Sequence, residues 1–112
     1  MQILRFKLPG EHNAVKMPSG SRVLHIAVKP GETFVSLWAL CPHVDPIPSW
    51  NETRHFRVIG TGWKVELPES AIYLGTAMEV TAGFEPGRPQ TFCWHVFEVL
   101  PVAEFRPREP AA

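Results

Sequence analysis

Arg54-His55-Phe56-Arg57-Val58-Ile59-Gly60-Thr61-Gly62 is the stretch whose reading decides the fold. Arg54, Phe56 and Val58 alternate with His55, Arg57 and Ile59, and the run ends in a glycine turn. Alternation of period two closed by glycine marks a β-strand with two distinct faces. Two further stretches carry the same signature: Leu37-Trp38-Ala39-Leu40, and Gln90 to Leu100 around Trp94-His95-Val96-Phe97-Glu98.

Working outward, Gln2 to Leu8 sets Ile3, Arg5 and Lys7 against Leu4, Phe6 and Leu8, and stops at Pro9-Gly10. Ala14 to Met17 is a short strand before Pro18-Ser19-Gly20. Arg22 to Lys29 and Thr33 to Leu40 flank Pro30-Gly31, a pair suited to the centre of a tight turn, so they form a hairpin. Ser70 to Thr76, extended by Met78 to Thr81, is a further strand, and Trp63 to Leu67 alternates briefly. Residues 64–72 hold a turn of helix after Pro68. Twelve prolines and eight glycines argue against long helices. The expected fold is all-β, a small antiparallel barrel or sandwich of six to eight short strands. Pro42, Pro46 and Pro48 make 41–51 an exposed loop, and 82–89 is a turn-rich one. Residues 1–100 form one β domain, and 101–112 form a Pro-rich, partly ordered tail.

The chain has 112 residues, of which 45% are hydrophobic, enough for a core without metals or disulfides. Eleven basic and eleven acidic side chains balance, which argues against nucleic acid as a partner. Cys41 and Cys93 lie outside any paired motif and are expected as reduced thiols. No apolar run reaches the roughly 20 residues of a membrane span, and Met1 to Leu8 lacks a signal-peptide core. A cytoplasmic location follows as the expectation.

Candidate chemistry centres on His55 and Arg57, which share one face of their strand, and on Thr61 in the turn that follows. A guanidinium fork beside an imidazole and a hydroxyl suits an anionic ligand. Glycines flanking Thr61 would admit a phosphate to backbone N–H groups. Trp63, like Trp50, could stack on a ring, and Trp38 joins Trp63 in the ligand-binding group. Trp50, with His43 and Asp45 in the Pro-rich loop, forms a second group suited to docking on a protein. The same aromatics could instead plug the ends of a barrel, and the His/Arg face could be an ordinary solvated one. Trp94 and Glu98 share a face with His95 opposite, so one strand supplies no acid–base pair. No GxSxG elbow, GxxxxGK[ST] loop or HExxH pair occurs. Five histidines stand singly, with no metal-ligand spacing. The expectation is no enzyme, no metal and no cofactor.

Several segments resemble a family of short uncharacterised proteins of bacteriophages, prophages and actinobacterial genomes. They are Leu4–Leu8, Met17–Leu24, Leu37–Leu40, Arg54–Gly62, Tyr73-Leu74-Gly75-Thr76 and Trp94–Glu98, and they span residues 2 to 98. The resemblance implies a phage-related origin and brings no assigned activity. The expected function is that of a non-enzymatic accessory protein acting by stoichiometric binding. Its leading form is host interference or counter-defence by docking on a host protein through Trp50, His43 and Asp45. The alternatives are sequestration of a small anionic ligand, such as a signalling nucleotide, by His55, Arg57, Thr61, Trp63 and Trp38, and a structural or virion-associated module. Uncovered strand edges make a homo-oligomer compatible with the fold.

Overall fold

The computed structural model describes residues 1–42, 50, 52–81, 87 and 90–100. They form seven strands: β1 (Gln2–Leu8), β2 (His12–Met17), β3 (Arg22–Ala27), β4 (Val35–Cys41), β5 (Glu52–Gly60), β6 (Ile72–Thr81) and β7 (Gln90–Val99). A three-stranded sheet has the order β1-β4-β3, and a four-stranded sheet the order β2-β5-β7-β6. Every pairing is antiparallel. At the edges β3 lies beside β6 and β1 beside β2. The sheets do not close into a barrel, and the arrangement is a sandwich, as the alternating patterns led us to expect.

Alternation decides which side chains meet between the sheets. Phe6, Leu8, Ile26, Val35, Leu37, Ala39 and Cys41 come from the first sheet. Met17, Phe56, Val58, Ala77 and Val96 come from the second. Phe56, Leu37 and Val96 are wholly buried. At about 25 cal/mol per Å² of apolar surface, burial of this cluster is the main force holding the sheets face to face. The β3–β4 hairpin turns at Pro30-Gly31, with Glu32 N–H donating to the Lys29 carbonyl at 3.0 Å. Gly31 has φ +83°, the value a type II turn requires at its third residue.

One polar tie crosses the apolar interior. Arg54 on β5 grips Glu98 on β7 through Nε–Oε2 and Nη2–Oε1, each 2.6 Å, and its Nη1 donates to the Ser21 carbonyl ahead of β3. The hydrogen bond to Glu98 raises the Arg54 pKa above the ordinary guanidinium value, against the lowering effect of burial. The ion pair therefore braces neighbouring strands of the four-stranded sheet, and the Arg54 bond to the Ser21 carbonyl reaches the segment that leads into the other sheet.

One local expectation needs correction, and one briefly alternating stretch forms no strand. No helical turn occupies 64–72, which contains only a reverse turn closed by Ala71 N–H to the Pro68 carbonyl at 3.0 Å. Trp63–Leu67 is not a strand. Pro68 disfavours helical geometry just before it, and after it only three residues separate it from Ile72, where β6 begins, which leaves room for a single reverse turn. Most of the 41–51 and 82–89 loops, and all of the 101–112 tail, lie outside the described residues. Among the described residues no helix is long and apolar enough to cross a membrane.

Candidate functional site

His55 and Arg57 project from the outer face of the four-stranded sheet, because alternate residues of β5 leave the core side to Phe56 and Val58. Their neighbours are set by register. Ala14 and Val99 flank His55, while His12 and Phe97 flank Arg57, and Tyr73 on β6 follows Phe97. His12, His55 and Arg57 thus converge on a depression of about 180 Å³ walled by Val99 and Leu100, with no carboxylate in its lining among the described residues. Arg57 Nε is buried and has no hydrogen-bond partner among the described residues. A buried donor left unpaired costs about 1–3 kcal/mol, which an incoming acceptor would recover. The next two aromatics in the row, Phe97 and Tyr73, have ring centroids 5.5 Å apart and planes tilted by 57°.

One position along the strands, His95 on β7 links three segments. Thr61 Oγ1 lies 2.7 Å from its Nε2 and Thr76 Oγ1 lies 3.0 Å from its Nδ1. The Tyr73 hydroxyl lies 2.5 Å from Thr76 Oγ1. Both imidazole nitrogens are engaged, so His95 acts as a cross-strand tie and leaves no lone pair for a metal. Among the described residues no group of His, Cys, Asp or Glu is arranged to hold a metal ion. Cys41 and Cys93 are free thiols, on different sheets.

The other expected ligand residues do not join His55 and Arg57. Thr61 shares their face, but its hydroxyl is directed at His95. Trp63 folds back over the turn, with its N–H donating to the Gly60 carbonyl at 3.2 Å. A Cβ at Gly60 would sit 2.7 Å from Trp63 Cε2, so the indole rests directly on that glycine. The ring also meets Trp94 edge-on at 5.6 Å and lines a separate cavity of about 250 Å³ with Leu8, Val35 and Val58. Trp94 in turn donates Nε1–H to Glu79 at 3.1 Å. Trp38 stands on the outer face of the three-stranded sheet, between Arg5 and His25, on the far side of the sandwich.

Of the docking group, Trp50 is half-buried. It packs on Phe6 with centroids 6.0 Å apart and adds to the core. His43 and Asp45 lie outside the described residues. Three contributors to the face were missed in the sequence: His12, Phe97 and Tyr73. His12 stands two residues before Ala14 in the same alternation, but only the β2–β5 register sets it beside Arg57.

The chain matches a domain of unknown function, DUF7352, over residues 1–105. No curated protein and no solved structure matches it. The chain belongs to the DUF7352 family.

Proposed function

We propose that this DUF7352 protein binds a small anionic ligand stoichiometrically, without turnover, at His12, His55 and Arg57. One observation carries the reading: two imidazoles and a guanidinium, one of its nitrogens buried and without a partner among the described residues, share a depression that no carboxylate of the described residues lines. A guanidinium offers a planar fork of donors to phosphate or carboxylate oxygens. The aliphatic walls, Val99 and Leu100, lower the local dielectric and strengthen each contact. The polar groups of the depression suit holding charge, and we assign no catalytic step to them. The biological setting we propose is a phage or prophage accessory factor in the host cytoplasm, where sequestering an anion would serve host interference or counter-defence. That setting is supported by the family resemblance of the segments alone.

Docking on a host protein is the second reading, and a specific observation favours moving it from the loop to β6. Met78 and Val80 point outward and are 62% and 66% exposed. Native mass spectrometry of the purified chain after incubation in bacterial lysate separates the two readings. Capture of a small mass that Arg57→Ala abolishes supports ligand binding. Capture of a protein-sized mass that Met78→Lys abolishes, with Arg57→Ala silent, supports docking and refutes the first reading.

A further inference from the structure

The anion site does not stand alone on its face. Arg57, Phe97 and Tyr73 occupy one row across β5, β7 and β6. With neighbouring strands about 4.8 Å apart, the row runs roughly 10 Å from the guanidinium-bearing strand to the tyrosine-bearing one. Tyr73 is 56% exposed, so its ring is open to a ligand, and Phe97 backs it. The Tyr73 hydroxyl is tethered to Thr76, which is tethered to His95, which is tethered to Thr61. The ring is therefore held in place before any ligand arrives, which reduces the ordering entropy of binding.

We infer that the ligand is an organic phosphate bearing a planar ring, of the nucleoside phosphate class. Its phosphate sits on His12, His55 and Arg57, and its base lies against Tyr73 and Phe97. The inference rests on the anion-binding reading above and adds the ring subsite to it. Base–aromatic stacking tolerates different bases, so the row specifies a ring in general. A polynucleotide is disfavoured by the balanced charge of the chain, since strand binding draws on a broad basic surface.

The test is calorimetric titration of the full chain with ribose 5-phosphate, with AMP, GMP, CMP and UMP, and with a short single-stranded oligonucleotide. At least one nucleotide should bind roughly 10-fold or more tighter than ribose 5-phosphate, the gain expected from one stacked base. Tyr73→Ala should erase that gain and leave ribose 5-phosphate affinity unchanged. Tyr73→Phe, which keeps the ring and loses the tether, should keep most of it. Arg57→Ala should weaken all the phosphates by roughly 10- to 100-fold, the loss expected for hydrogen bonds to a charged group. Equal affinity for nucleotides and ribose 5-phosphate overturns the ring subsite and leaves the anion reading standing. No binding of any phosphate overturns both. Binding of the oligonucleotide far tighter than any mononucleotide overturns the small-ligand assignment.

Discussion

Replacing Glu98 with leucine leaves the Arg54 guanidinium in a slot built for a carboxylate. The paired side chains are 15% and 21% exposed, so the ion pair is mostly shielded but not dry. Removing one partner of a buried pair costs about 3–5 kcal/mol, and the residual solvent contact lowers our expectation to about 2–4 kcal/mol. With about 2.1 cal/mol/K of unfolding entropy per residue, a chain of this length loses roughly 4 °C of Tm per kcal/mol, so Glu98→Leu should lower Tm by roughly 8–16 °C. Arg54→Met should cost a similar amount, because it strands Glu98 and deprives the Ser21 carbonyl of its donor. The double variant should recover part of the loss, since an apolar pair replaces two charges. The assay is thermal unfolding of all four proteins by circular dichroism. From the arginine side the contribution is constant at neutral pH. A group whose folded pKa is raised stabilises the fold below its unfolded value and stops doing so only as the pH climbs through the folded one. For Arg54 that window lies above about pH 12. A Glu98→Leu protein melting within about 2 °C of wild type, or a double variant less stable than both singles, would refute the view that this pair braces β5 against β7 and holds Arg54 in place for Ser21.

Three further outcomes follow from the geometry. Gly60→Ala should destabilise by about 1–3 kcal/mol, because its Cβ meets the Trp63 ring at 2.7 Å, and adding Trp63→Ala should relieve much of that cost in a denaturant double-mutant cycle. Gly31→Ala meets no neighbouring atom, so its cost should be the left-handed backbone alone, about 1 kcal/mol, with no rescue available from any side-chain change. Thr61→Val should cost about 0.5–1.5 kcal/mol and shift the ¹⁵N resonance of His95 Nε2, while an unchanged His95 spectrum would show that the tie does not persist in solution.

How far the site was legible follows from the range of each interaction. His55 and Arg57 share a face because they are two residues apart on a strand, and spacing alone supplies that. Their meeting with His12 depends on the pairing of β2 with β5, across more than forty residues of chain. No local pattern encodes which strand pairs with which. The same holds for Phe97 and Tyr73, placed beside Arg57 by the order β5-β7-β6. Trp63 and Trp50 were legible as prominent aromatics, but their destinations were not. Trp63 lies on Gly60 because glycine alone leaves room there, and Trp50 turns inward to Phe6. Either tryptophan could have pointed outward with no change in the alternation around it.

By itself, the sequence determined an all-β chain, its strands to within a few residues, which side chains of a strand share a face, and the turn at Pro30-Gly31. These rest on period-two alternation and on the φ preferences of proline and glycine, which act between near neighbours. Only the tertiary structure decided the order of strands in the two sheets, the Arg54–Glu98 tie, the His95 hydrogen-bond chain and the convergence of His12 on Arg57. Those depend on register, which is set by the packing of the whole core, and a slip of one residue would send every side chain on a strand to its other face.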